Sequence, residues 1–166
     1  MTLPLFAAPL LAVVVFALDR FLRAGRTRRQ LVDVLAVLPE LTGAAPVGRS
    51  ERVATLAQTL GERLQRGERE YLGTAARLVD VDPRVVEAAA LEAGVVRLLE
   101  EVQEAPIGRL GPAAAAVRVA ARFEARRERL PASGALFATL AEYRTGEERR
   151  AAEVLVRFVQ ERPVRV

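Results

Sequence analysis

Neither histidine nor cysteine occurs in the 166 residues, and lysine, asparagine and tryptophan are missing as well. Histidine is the usual general base and metal ligand near neutral pH, and cysteine is the most reactive nucleophile and a common zinc ligand. Their joint absence excludes His-assisted Ser catalysis, thiol chemistry and ordinary zinc sites. Without cysteine there is also no disulfide framework. Aromatics are scarce, two tyrosines and six phenylalanines, and Phe6 and Phe16 fall in an apolar N-terminal run. A stacking platform for single-stranded nucleic acid is therefore not expected. No glycine-rich loop precedes a Lys-Ser or Lys-Thr pair, so a phosphate-binding loop is excluded too.

What is present is Ala, Arg, Leu, Val and Glu in a pattern that is 51% hydrophobic and 28% charged, as suits a folded helical chain. The formal charge of +4 is local: Arg20, Arg23, Arg26, Arg28 and Arg29 are opposed there by Asp19 alone. Before them, Leu3 to Leu18 is apolar throughout, and at about 1.5 Å per residue it covers roughly 24 Å of a hydrocarbon core about 30 Å thick. A cleaved signal peptide carries its positive charge ahead of the apolar run, whereas here the arginines follow it. An uncleaved anchor is expected over 1–24, with the arginines at the cytoplasmic headgroups and the body of the protein in the cytoplasm. In a bacterium this is the inner membrane.

Beyond the anchor the periodicity is helical. A juxtamembrane helix and linker are expected over 25–48, with Leu31, Val34, Leu35 and Leu38 on one face, a stop at Pro39 and a linker from Thr42 to Gly48. Amphipathic helices follow over Arg49 to Gln65 and Glu68 to Val79. Asp82 caps a long helix begun by Pro83, whose expected stripe is Val86, Ala89, Ala90, Ala93, Val96 and Leu99. Another runs from Pro112 to about Arg129 through Val117, Ala120 and Phe123. Pro131 to Gly134 reads as a turn, Leu136, Phe137 and Leu140 as a short helix. Thr145 and Glu148 read as the capping box of a last helix buried through Ala151, Leu155, Phe158 and Val159. No segment alternates with period two, so the expected fold is a compact all-α domain over 49–162.

The order of three segments carries a resemblance. Arg49-Ser50-Glu51-Arg52-Val53-Ala54, then Ala75-Ala76-Arg77-Leu78-Val79-Asp80, then Val119-Ala120-Ala121-Arg122-Phe123-Glu124-Ala125 after Ala105-Pro106-Ile107-Gly108-Arg109, resemble the HD-GYP branch of the HD phosphohydrolase superfamily. The resemblance implies an HD-like helical fold in which Arg49 stands at the first metal-binding histidine. Val79 stands at the histidine of the His-Asp pair, Asp80 keeps its aspartate, and Ala121 replaces a late aspartate ligand. The interval from Asp80 to Pro112 is too short for the family's middle ligands and its Gly-Tyr-Pro signature. One carboxylate cannot hold two cations and activate a water.

The resemblance thus implies a vacated site at Arg49, Val79, Asp80 and Ala121, with no catalytic residue, no metal and no cofactor. An ion pair between Arg49 and Asp80 is the expected filling. Other clusters have plainer readings: Asp80, Asp82 and Glu87 as a magnesium site or as turn and cap residues, Glu100, Glu101 and Glu104 as a partner surface or a solvated helix end. Arg122, Arg126, Arg127 and Arg129 read as an anion patch or a complement to the helix dipole. The expected function is non-enzymatic: a membrane-tethered HD-like domain acting as a structural subunit or regulatory adaptor, bound to membrane lipid and to a protein partner or a second copy, without nucleic acid. The alternative is a ligand sensor holding a nucleotide or cyclic dinucleotide through arginines such as Arg49 and Arg52.

Overall fold

A computed structural model describes residues 25–161, and among them it contains helices, turns and loops and no strand. Helix α1 occupies 25–41, followed by α2 (Arg49–Leu60), α3 (Arg66–Glu70), α4 (Leu72–Arg77), α5 (Pro83–Ala88), α6 (Ala93–Glu104), α7 (Pro112–Arg127), α8 (Ala132–Glu142) and α9 (Gly146–Glu161). The domain is all-α, as the periodicity indicates. The apolar run Leu3 to Leu18, with Arg20 and Arg23, lies outside the described residues. Arg26, Arg28 and Arg29 are exposed on α1, and no described helix is long and apolar enough to cross a membrane.

Helix α7 is the centre of the domain and touches α2, α4, α6, α8 and α9. Its residues Ala114, Ala115, Ala116, Val117, Val119 and Ala120 are all buried, small enough to let neighbouring helices approach from several sides. Helix α2 packs on α4 and α7, placing Val53, Ala57 and Leu60 against Leu72, Ala75 and Leu78 in one continuous core. Leu35 and Ala36 of α1 join the same core.

Several boundaries differ from the periodicity. Helix α1 passes Pro39 and ends at Leu41, where the Thr42 amide and hydroxyl both donate to the Leu38 carbonyl at 3.0 Å. Proline forgoes one backbone bond in the last turn without ending the helix. Its inward face agrees with the expected one only in part: Leu35 is buried and Leu31 packs against the core, but Ala36 joins them while Val34 and Leu38 are 61% and 41% exposed. The helix carries two apolar faces, and periodicity alone does not choose between them.

Helix α2 stops at Leu60 rather than Gln65, capped by Gly61, where the helices approach so closely that a Cβ would lie 2.4 Å from Leu72 Cδ2. The expected helix from Glu68 to Val79 is broken at Tyr71, whose ring lies against Gly94 of α6. The long helix after Asp82 is broken at Ala90, a non-glycine residue with φ 51°, so α6 restarts its register and buries Val95, Leu98, Leu99 and Val102, leaving Ala90 and Ala93 exposed. Alanine's helix propensity is overridden there by packing. Asp82 does cap α5, accepting from the Arg84 amide at 2.8 Å ahead of Pro83.

Helix α8 begins at Ala132, inside the expected turn, and turns Ala135 and Thr139 inward, which leaves Phe137 76% exposed. Glu148 does not close a capping box. It is fully buried, and its Oε1 accepts from the Gly108 amide at 2.9 Å.

Candidate functional site

Arg49 opens α2 immediately after Gly48, whose φ of 75° is left-handed and which has no side chain with which to cap the helix. Glu40 of α1 supplies that cap from a distance. Its carboxylate accepts from the Gly48 amide at 2.7 Å, the Ser50 amide at 3.1 Å and the Ser50 hydroxyl at 2.8 Å. Burial raises the Glu40 pKa, but these bonds outweigh it and hold the carboxyl below its ordinary value. The junction fixes where the Arg49 side chain enters the domain.

From there Arg49 reaches a cleft of about 490 Å³ lined also by Val79, Asp80, Arg118, Ala121, Arg122 and Glu142. All four residues that the resemblance aligns with ligand positions therefore line one cleft. Val79 and Asp80 come from the turn after α4, and Ala121 from the middle of α7. Arg49 is 7% exposed and donates from Nε to Asp80 Oδ2 at 2.7 Å and from Nη2 to Asp80 Oδ1 at 3.3 Å, a forked pair. Nη1 donates to Glu128 Oε1 at 2.6 Å and Nη2 also to the Ala121 carbonyl at 3.3 Å. Burial lowers the Arg49 pKa, but Asp80 and then Glu128 outweigh it and raise the pKa above that of an ordinary arginine.

Arg118, 8% exposed, closes the other wall. Its guanidinium donates to the carbonyls of Val102 (Nε, 2.8 Å) and Ala105 (Nη2, 2.7 Å), which the end of α6 leaves without helical partners. Its Nη1 lies 3.9 Å from Glu148 Oε1, so the two buried charges offset one another. Gln103 donates to the Val79 and Val81 carbonyls at 3.3 and 3.4 Å and pins the turn that carries Asp80. Tyr143 is buried with its hydroxyl unpartnered, and burial, then the charge of Glu142, pushes its pKa up to about 12.

The remaining expected sites resolve into structural roles. Arg52 donates to Glu124 at 2.9 Å and to the Val47 carbonyl at 3.0 Å. A nucleotide approaching Arg49 or Arg52 must compete with Asp80 or Glu124. Asp80, Asp82 and Glu87 do not converge: Asp80 holds Arg49, Asp82 caps α5 and Glu87 is exposed. Among the described residues no three acidic side chains are placed to hold a metal ion.

Glu101 caps the start of α7 by accepting from the Gly111 amide at 2.6 Å, while Glu100 and Glu104 are exposed. In the expected anion patch, Arg126 is ion-paired with Glu142 and bonded to Thr139, and Arg127 lies 3.4 Å from Glu124 and over the Phe123 ring. Arg122 and Arg129 are exposed.

Sequence reasoning missed Glu128, Glu40 and the Arg118 to Glu148 pair. The signal available for Arg118 and Glu124 was a charge set among apolar neighbours on a helix buried nearly all round.

The cleft thus holds ion pairs and apolar surface: Arg49 and Arg118 are each met by a carboxylate, while Arg122 lines it exposed to solvent. No family model matches the chain, and neither a curated protein nor a solved structure matches it.

Proposed function

We propose that this chain is a non-catalytic, membrane-tethered, HD-like helical domain that works by binding, as a structural subunit or regulatory adaptor on the cytoplasmic face of a membrane. The observation that carries the reading is the forked pair that the buried Arg49 makes with the solvent-facing Asp80. On this reading the Arg49 guanidinium, held in the cleft by Asp80, takes the position of a cation of the resembled family, and a second cation there would be repelled. Val79 and Ala121 add apolar surface where that family has ligands. The composition supports the same conclusion, since no histidine or cysteine is available as base, nucleophile or ligand. The arginine-flanked apolar run supports the tether and its orientation.

Cell fractionation tests the tether. The full-length chain should sediment with membranes and resist extraction by salt, and residues 25–166 should be soluble without detergent. In inside-out vesicles the helical domain should be open to added protease. Recovery of the full-length chain in the soluble fraction without detergent, or a protease-protected domain in inside-out vesicles, would contradict the reading. The ligand-sensor reading retains one supporting observation, an open cleft beside the exposed Arg122. Saturable binding of a nucleotide that is lost in Arg122→Ala would favour it over the adaptor.

A further inference from the structure

We infer that α1 is a seam through which two copies of this chain pair in parallel, an inference that rests on the membrane-tether reading. The helix has two apolar faces. Leu35 and Ala36 enter the core, while Val34, Val37, Leu38 and Leu41 on the opposite face are 61%, 39%, 41% and 77% exposed. These four fall at steps of three and four residues, within an arc of about 100° on the helical wheel. That is the spacing with which one helix meets another of the same pitch, Val34 and Leu41 alternating with Val37 along the contact. A contiguous row of exposed aliphatic side chains marks a contact surface.

A second copy fits this face better than an unlike partner. A straight ridge on a helix is self-complementary under a two-fold axis, so the same residues serve both sides. The acidic neighbours that would repel each other across such an axis are turned away. Asp33 accepts from Arg77 at 2.6 Å, and Glu40 is held by Gly48 and Ser50. Each copy has 24 residues before Gly25, and the apolar run among them, acting as a tether, would hold all copies in one bilayer with one orientation.

Parallel pairing is then the available arrangement, and confinement raises the effective concentration. This supplies what the seam lacks alone: four side chains per copy fall short of the roughly 1,200 Å² buried by a stable interface.

The chain has no cysteine, so single substitutions report without background. Full-length Val34→Cys, Val37→Cys, Leu41→Cys and, off the seam, Arg29→Cys would be oxidised with copper phenanthroline in isolated membranes and run without reductant. The three seam positions should give several-fold more disulfide dimer than Arg29→Cys, and adding Leu41→Glu to Val34→Cys should abolish the excess. Cross-linking that is absent, or equal at all four positions, overturns the seam. So does a fluorophore at Val34→Cys that is quenched by nitroxide lipid while no dimer forms, since α1 would then lie on the bilayer. The membrane and soluble fractions of the same samples are scored separately. Soluble full-length protein refutes the tether, whereas membrane-bound protein without position-dependent cross-links refutes the seam alone.

Discussion

Arg49 and Asp80, 31 positions apart in the chain, are joined by two parallel hydrogen bonds from Nε and Nη2 at 2.7 and 3.3 Å. The pair lies at the mouth of the one turn that α4 leaves before α5, so it ties the start of α2 to that turn across the cleft. Glu128 takes the remaining arm of the guanidinium from the C-cap of α7. Three elements are thereby locked around one buried cation.

The second carboxylate changes the energetics expected from a simple pair. Removing one side of a buried ion pair costs about 3 to 5 kcal/mol, but Asp80→Ala leaves Arg49 still held by Glu128. A loss of about 1.5 to 3 kcal/mol is expected, the worth of hydrogen bonds to a charged group. Glu128→Ala combined with Asp80→Ala should lose more than the two single changes together, because only then is Arg49 buried without a carboxylate. Asp82→Ala should lose a cap, about 0.5 to 2 kcal/mol. Urea titrations of residues 25–161 measure all four. Strict additivity would show that Arg49 finds water instead.

Glu40 gives the domain an acid-sensitive joint. Its folded pKa is below the ordinary 4.5, so its contribution is complete above that value and is lost as pH falls through the lower folded one. Glu40→Gln, which keeps an acceptor but not the charge, should be less stable than the parent at pH 7 by about 1 kcal/mol, the size of a helix cap. The gap should close as the parent is titrated below its folded pKa. A gap unchanged down to full protonation would show that shape, not charge, makes the contact.

Two glycines in helices should respond with opposite sign to alanine. At Gly94 a Cβ would lie 2.4 Å from a Tyr71 ring carbon, so Gly94→Ala should destabilise by about 1 to 3 kcal/mol through overpacking. At Gly67 nothing lies within 4 Å, and Gly67→Ala should stabilise by about 0.4 to 1 kcal/mol by restricting the unfolded chain. Thermal melts of the two variants decide it. A stabilised Gly94→Ala would mean that Tyr71 does not pack there.

The all-α class, the Asp82 cap and the start of α7 at Pro112 follow from local signals, because caps and 3.6-residue periodicity are properties of neighbouring residues. The pairing of Arg49 with Asp80 followed from the family resemblance and not from spacing. Breaks at Gly61, Tyr71 and Ala90 were hidden because each depends on a contact or a backbone angle that only the assembled domain defines. Glu148 shows the same limit: three residues after Thr145 it has the spacing of a capping box, yet the fold draws its carboxylate inward to Gly108 and Arg118. Glu128 was hidden among the surface charges at the end of α7 and becomes a site residue only through the approach of α2.

On the proposed reading the cleft is held together by charge pairing and takes up no catalytic metal. Elemental analysis of the purified full-length protein, and of its Val79→His variant, tests it most directly. No stoichiometric transition metal is expected in either, because Arg49 keeps its positive charge in the cleft whether or not one histidine is restored. About one or two metal ions bound per parent chain, as a hydrolytic centre requires, would contradict it.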